Sequence, residues 1–561
     1  MYNSKLFLKL FASLALVASI TSCETEDGKV GPPGPAGPAG TISEASKAEI
    51  DALKAQIEEL IKKGDATAEE IVEAEEKIKA LTKQNEDAED ELSSLMASLE
   101  QLLKRNAEGI PFGELVNFLD VKPEFSSIKV TPLLSSESKL ANEFVYGSMA
   151  DGCGLLKEAD GTYTFINNIE ADYSVARIKL DADLKPVSGE YILNAEATAN
   201  TAQCSGSLIT MEEHGFGPMY LSGGEWGGDS KGVFVTDPYR SASEAGSATM
   251  LTAFGQWSTE NAVVIGKDAY PTKTVAFIGD DDSDNEVPQG HLGMYVGTRG
   301  DLSGGKLYTL KVSSAGILNE VDMAEGMEYD AEFVEMSETE IEALNQEAMD
   351  KGAMGFSRLE DIDWRRGTAE NQREIYFAVT GRNKSGLVGK GSILGRIYKV
   401  VLNENDPTGA AKITCVLDGD KVGGIADGFH SPDNILVTEN YAYIQEDPNG
   451  YFDVNPAIQG YAKVYQYDLT SGALKTVLEC DQEKAESLGF GTTSRTWELT
   501  GMIDISDVTK SGKNQFLLIT QNHGWNAIPG QVFTDKNAIS DAKGHWAQEG
   551  SMLYLIEGLD R

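Results

Sequence analysis

Apolar residues along positions 46–104 keep to one heptad frame: Ile50, Leu53, Ile57, Leu60, Ile71, Ala74, Ile78, Leu81, Ala88, Leu92, Leu95, Leu99 and Leu102. That spacing gives a helix one continuous apolar seam. The frame passes through Gly64-Asp65 without slipping, and Thr67-Ala-Glu-Glu70 has the form of a capping box that restarts the helix. Asn85 falls on the seam, where a polar side chain sets register. The pattern predicts a coiled-coil stalk over 46–106, built either as a parallel oligomer or as a hairpin folded at Gly64. From about Pro111 the rhythm changes to short apolar runs separated by Gly, Asn and Asp turns. Tyr191–Leu193, Val263–Ile265, Val275–Ile278, Ile375–Val379, Ala442–Gln445 and Phe516–Thr520 are among the predicted strands. Regular short strands with turn signals indicate an all-β domain, and the length from 111 to 561 exceeds a single sandwich. Four-stranded blades fill that length, so the expected fold class is an all-β β-propeller of about six blades behind a helical stalk. The acidic stretch Ser337 to Asp350 is predicted as an inserted helix.

The first residues carry a different pattern. Lys5 and Lys9 flank or precede the apolar run Leu10 to Ile20, too short for a bilayer span, so residues 1–22 are predicted to be a signal peptide. The run ends in Ile20-Thr-Ser-Cys23, which resembles a lipobox with Cys23 as the lipidated residue. The acidic tetrad Glu24-Thr-Glu-Asp27 resembles the surface-export signal of some Gram-negative lipoproteins. Residues 23–45 continue as four collagen-like triplets, Gly28-Lys-Val-Gly-Pro-Pro-Gly-Pro-Ala-Gly-Pro-Ala-Gly40, a number that favours an extended spacer over a triple helix. The expected layout is a signal peptide (1–22), a lipidated linker (23–45), a stalk (46–106) and a globular domain (111–561). The expected location is the outer membrane, exposed at the cell surface, with membrane contact through the lipid on Cys23 and a homo-oligomer among the states open to the stalk.

Charge narrows the function. Asp and Glu number 89 against 47 Lys and Arg, a net charge of −42. Nucleic-acid binding needs a basic footprint and is excluded. A phosphorylated substrate would be repelled unless bound cations reverse the field locally. Beyond Cys23 the cysteines are Cys153, Cys204, Cys415 and Cys480, which allow three disulfide pairings. With no C-x-x-C and five histidines, zinc ligation is not indicated.

Short acidic or thiol clusters sit at the edges of predicted strands: Cys204-Ser-Gly-Ser-Leu208, Ser258-Thr-Glu-Asn261, Ile278-Gly-Asp-Asp-Asp282, Phe356-Ser-Arg-Leu-Glu-Asp-Ile-Asp-Trp364, Tyr443-Ile-Gln-Glu-Asp447 and Trp497-Glu-Leu-Thr-Gly501. Carboxylates converging from many strand ends are how a sheet-built protein makes a multi-metal site. Three adjacent acids at Asp280–Asp282 repel one another, so one of them is expected to face a cation.

In this order the clusters resemble the PhoX-like alkaline phosphatases, calcium- and iron-dependent β-propellers, over about Glu190 to Glu557. The resemblance implies Cys204 as a thiolate ligand to iron, a soft donor suited to that metal, against the alternative of a buried or bridged cysteine. It implies Glu225, Glu260, Asp281, Asp282, Glu360, Glu446 and Glu498 as further metal ligands, with Arg358 and Glu360 as the catalytic pair. Arg358 would place its planar fork on two phosphate oxygens. Gln521 and His523 would orient ligands or substrate. The chain departs from the family at Trp226, which stands where a second acid is usual, and at Leu499, which replaces a serine; Glu212 and Glu213 offer an alternative alignment to Glu225. The implied cofactors are calcium and iron and the implied partner a phosphorylated small molecule. The expected activity is hydrolysis of phosphate monoesters; the alternative is a non-catalytic propeller lipoprotein that captures a glycan, a metallophore or a phosphorylated compound.

Overall fold

The computed structural model describes residues 89–561 except 229, 449–459, 529–530 and 543–547, with isolated positions at 52, 53, 55, 74 and 77. The predicted signal peptide, Cys23, the collagen-like linker and most of the predicted stalk lie outside the described residues.

Short β-branched and aromatic runs bounded by turns produce antiparallel hairpins, and these stack into five sheets with a propeller-like arrangement. Six strands lie innermost: Ala150–Lys157, Thr201–Ile209, Thr259–Val264, Leu359–Trp364, Pro432–Val437 and Glu498–Asp504. Each packs against the next in that order, and the last packs against the first, so the six close a ring. From each ring strand the chain runs outward through antiparallel neighbours. Leu359–Trp364 leads to Glu374–Val379, Arg396–Val401 and Ala411–Asp418. The groups headed by Thr259–Val264 and Leu359–Trp364 are fused into one nine-stranded sheet, because Glu328–Glu335 pairs with Ala411–Asp418.

Closure is made by the two ends of the globular part. Lys129–Ser135 forms the outer edge beside the last strand, Glu549–Glu557, and Leu119–Val121 pairs with Leu474–Cys480. An N-terminal strand completing a C-terminal sheet ties the ring shut. Apolar clusters fill the spaces between sheets; one joins Phe118, Trp497, Leu499, Phe516 and Trp525. The predicted inserted helix occurs as Ile341–Asp350, with Leu344 and Ala348 buried against the Trp257 cluster. Cys153, Cys204, Cys415 and Cys480 are all buried and unbridged, so none of the three disulfide pairings exists.

Of the predicted stalk, the helix Glu89–Glu108 is described. Its C-terminal end docks on the globular part: Leu99 and Leu102 are buried, and Lys104 Nζ lies 3.9 Å from Glu486 Oε1. Arg105 is buried with Glu137, donating through Nη1 at 2.6 and 2.8 Å. Its guanidinium also lies 4.0 Å from the Phe490 ring centre. Packing therefore continues across the 106/111 boundary that composition suggests.

Candidate functional site

The backbone of the ring strands builds the site. All six break register with their neighbour at the same level, between Ala150 and Cys153, Gln203 and Gly206, Thr259 and Ala262, Leu359 and Ile362, Pro432 and Ile435, and Leu499 and Met502. A β-bulge re-aims side chains that strict alternation would send to opposite faces. Here the bulged pairs are Asp151-Gly152, Cys204-Ser205, Glu260-Asn261, Glu360-Asp361, Asp433-Asn434 and Thr500-Gly501. The freed carbonyls still need donors. Asn168 Nδ2 donates to Cys204 O at 2.5 Å and Ser205 O at 3.1 Å, Asn167 Nδ2 to Asp151 O at 2.8 Å, and Tyr220 OH to Gly152 O at 2.8 Å.

Close approach at the bulges demands glycine. A Cβ on Gly223 would sit 2.1 Å from Glu260 O. Gly223→Ala is therefore expected to cost about 2 kcal/mol or more, read as a lowered urea midpoint; an unchanged midpoint would mean the bulge relaxes freely.

Among the described residues, the bulges and adjoining strand and loop ends bring ionisable groups together in three sets, each with donor atoms within 4.8 Å of one another: Glu170, Cys204 and Glu225; Glu260, Glu360 and Asp433; and Asp433, Asp447 and Glu498. Asp433 belongs to two sets and links them. Cys204 Sγ donates to Glu225 Oε2 at 2.9 Å, and Ser205 N donates to Glu260 Oε1 at 3.2 Å. Arg358 holds Asp281 through Nε at 3.0 Å and Nη2 at 3.1 Å, and lies 2.8 Å from Glu360 Oε1. Its φ of +66° is in the left-handed region, which costs a non-glycine residue on the order of 1 kcal/mol and turns its side chain toward the acids.

So many buried carboxyls cannot all stay ionised in the cation-free chain. Burial, reinforced by neighbouring carboxylates, raises Asp151, Glu225, Glu260, Asp433 and Glu498 well above the usual carboxylate range. Glu360 is raised by burial despite the opposing pull of Arg358. Burial and the same carboxylates push the Cys204 thiol up. Bound cations would reverse each of these shifts.

Cys204, Glu225, Glu260, Glu360 and Glu498 are thus drawn together, and Asp281 joins through Arg358. Asp282 stands outside the three sets: its Oδ1 accepts from Asp284 N at 2.9 Å and its Oδ2 from Asn345 Nδ2 at 3.3 Å. Glu446 also stands outside them. Its oxygens accept from Lys463 N at 2.9 Å, Tyr465 OH at 3.0 Å and His430 N at 3.3 Å, and burial raises it to about 7. Its neighbour Asp447 takes the site position, because successive residues leaving a strand face opposite ways. Gln521 Nε2 donates to Glu170 Oε2 at 2.8 Å. His523 Nδ1 meets Glu549 Oε2 at 2.6 Å, and its Nε2 lies 3.6 Å from Glu498 Oε2.

Glu170, Asp433 and Asp447 escaped the reading of the sequence. Each had a signal: Glu170 follows the apolar strand Tyr163–Ile169 as Asp280–Asp282 follow theirs, Asp433 precedes Ile435-Leu-Val437 as Glu360 precedes its run, and Asp447 was the second acid of Gln-Glu-Asp. The two departures also find places. Trp226 Nε1 donates to Glu170 Oε1 at 2.6 Å, while Leu499 is buried in an apolar cluster away from the acids.

Comparison with known proteins agrees with this architecture. A family model described as alkaline phosphatase PhoX matches residues 232–511. Among solved structures, the chain is similar to Pseudomonas fluorescens PhoX in complex with vanadate, a transition-state analogue. Identity to it is 14%, with 80% of this chain and 97% of that one covered and a TM-score of 0.54, a likeness of fold. The catalytic domain of a Coprinopsis cinerea GH62 α-L-arabinofuranosidase aligns at 12% identity over 62% of this chain and 95% of that one, with a TM-score of 0.30 too low to carry an argument. No curated protein matches the sequence.

Proposed function

Since the chain belongs to the PhoX family, we propose that it is a phosphatase that hydrolyses phosphate monoesters using calcium and iron held by this carboxylate-rich centre. The observation carrying this reading is the convergence of one thiol, seven carboxylates and one arginine at the bulges and loop ends of a closed ring.

The residues fit cations. Gln521 Oε1, an acceptor, is buried beside the sets with no hydrogen-bond partner among the described residues, and crowded carboxylates are the hard oxygen donors that calcium takes. Cys204 adds a soft donor to Glu170 and Glu225, so this set would hold iron. Glu260, Glu360, Asp433, Asp447 and Glu498 would hold calcium. When bound, such ions neutralise phosphate and polarise its oxygens. The chain's own part in the reaction is positioning. Arg358, released from Asp281 by the incoming anion, offers a two-pronged donor to phosphate oxygens. Trp226 and Gln521 each donate to Glu170 and fix its rotamer, and His523 is held by Glu549 to face Glu498. Hydrolysis breaks the bond from phosphorus to the leaving oxygen and forms one to a water oxygen on the opposite side.

We further propose, from the sequence alone, that the protein is anchored by lipid at Cys23 to the outer membrane and faces the cell exterior, with about six blades in its globular part.

Metal content and p-nitrophenyl phosphate turnover test the phosphatase. Copurified iron and calcium-dependent turnover are expected, with Arg358→Ala lowering kcat on the order of 100-fold and Cys204→Ser losing iron. A folded protein that takes up neither metal and stays inert after reconstitution would replace this reading with ligand capture.

A further inference from the structure

Beside the ligands, the second residues of four bulged pairs, Ser205, Asn261, Asp361 and Asn434, form a polar layer together with Asp151, the first residue of its own pair. Asn434 Nδ2 donates to Ser205 Oγ at 2.5 Å, and Asp151 Oδ1 lies 3.4 Å from each of these two atoms. Strands Thr201–Ile209 and Pro432–Val437 are three places apart in a ring of six, so this bond crosses the axis between opposite strands. A second link, from Asn261 Nδ2 to Asp361 Oδ1, joins adjacent ring strands, and Asp361 Oδ2 accepts from Ile435 N at 3.0 Å. Asn261, Asp361, Asn434, Ser205 and Asp151 are all buried.

This layer is expensive if it serves packing alone. Among the described residues Asn434 Oδ1 meets no protein donor, and apolar side chains would close the axis with no polar atom left to satisfy. What the Ser205–Asn434 bond does is set by its neighbours: Ser205 directly follows Cys204, and Asn434 directly follows Asp433. Cys204 belongs to the thiol-containing set, and Asp433 is shared by the two carboxylate sets. A hydrogen bond one residue away on each strand fixes the span between them across the axis.

We propose that Ser205 and Asn434 are positioning residues, a clamp across the ring that sets the distance from Cys204 to Asp433 and so matches the thiol set to the carboxylate sets for simultaneous ion binding. The proposal rests on the metal-dependent reading above. Outer-shell hydrogen bonds that orient metal ligands are worth ~10- to 100-fold in affinity, whereas a bond that only supports packing would alter stability and leave ion affinity alone.

The test uses the purified protein stripped of metal and retitrated with calcium and with ferrous iron, following bound metal and melting temperature. Ser205→Ala and Asn434→Ala are each expected to weaken calcium half-saturation by ~10-fold or more and to reduce retained iron. The double variant should be no worse than either single one, because the two act through one bond. Ser205→Thr, which keeps the hydroxyl, should hold wild-type affinity. Folded single variants with wild-type calcium and iron binding, or additive losses in the double variant, would overturn the clamp. Wild-type protein that binds neither ion would overturn the metal-dependent reading itself, which separates the two failures.

Discussion

Stripped of cations, the protein is expected to lose stability as pH rises from 5 to 8, and calcium is expected to restore it most at the alkaline end. In the cation-free fold the site carboxyls are raised above their unfolded values by burial and mutual repulsion. A carboxyl with a raised folded value is no burden below its unfolded value, near pH 4. The burden grows as pH climbs through the interval and is full above the folded value. Asp361 is raised to about 7, which corresponds to roughly 4 kcal/mol if it acted alone; shared protons make the sum smaller than the parts. Cations that bind the folded form stabilise it by about 4 kcal/mol at a thousandfold excess over Kd, and they bind best where the ligands are ionised. Thermal melts in chelator and in calcium at pH 5, 6.5 and 8 check this. A stability in chelator that rises toward pH 8 would show that the carboxyls do not face one another in the cation-free protein.

The second large effect lies far from the acids. Arg105→Ala is expected to destabilise the fold by about 3–5 kcal/mol, the cost of leaving a buried charge without its partner. Arg105 and Glu137 each expose 1% of their side chains. Without Arg105, Glu137 would keep Trp525 Nε1 at 3.3 Å and Gly113 N at 3.4 Å as donors. The guanidinium also donates to Gly489 O at 2.8 Å, so the helix end, the Phe490 loop and the Trp525 strand would loosen together. Trp525 lies two residues from His523, so ion affinity should fall along with stability. Arg105→Met combined with Glu137→Met should recover most of the loss, since apolar side chains of similar volume can replace a buried pair. Urea denaturation decides it: a change below about 1 kcal/mol would show that the helix end is not seated in the core.

Strand content, the inserted helix near residue 341 and the run of site clusters were legible because each depends on local pattern. The apolar run before Asp280 is a strand whatever surrounds it, and an acid at its end must find N–H donors, water or a cation; Asp280 itself accepts from Ser258 N at 3.1 Å and His291 N at 3.3 Å. Which acid of a cluster faces the site was not legible. Glu446 and Asp447 are adjacent, and the direction in which the chain leaves the strand decided that Asp447 faces Glu498 while Glu446 bonds with Lys463 and Tyr465. Asp282 and Asp281 were separated in the same way, by the fork of Arg358.

Leu499 shows the same dependence from the other side. In sequence it is a departure beside a presumed ligand; in the fold it is core, because Glu498 and Leu499 pair in regular register ahead of the bulge and alternate, Glu498 toward the acids and Leu499 into the cluster of Trp497 and Phe516. The six aligned bulges have no local signature, since they arise where opposing strands pair out of step.

By itself, then, the sequence determined the kinds of element, the acidity of the site and the resemblance of its ordered clusters, all of which are properties of neighbouring residues. The tertiary structure decided the rest: ring closure by the strands Leu119–Val121 and Lys129–Ser135, the docking of Arg105 on Glu137, and the joining of Glu170, Asp433 and Asp447 to the site. Those choices rest on contacts between residues tens to hundreds of positions apart, where burial, hydrogen-bond satisfaction and charge balance act on the assembled chain and leave no trace in any short window of it.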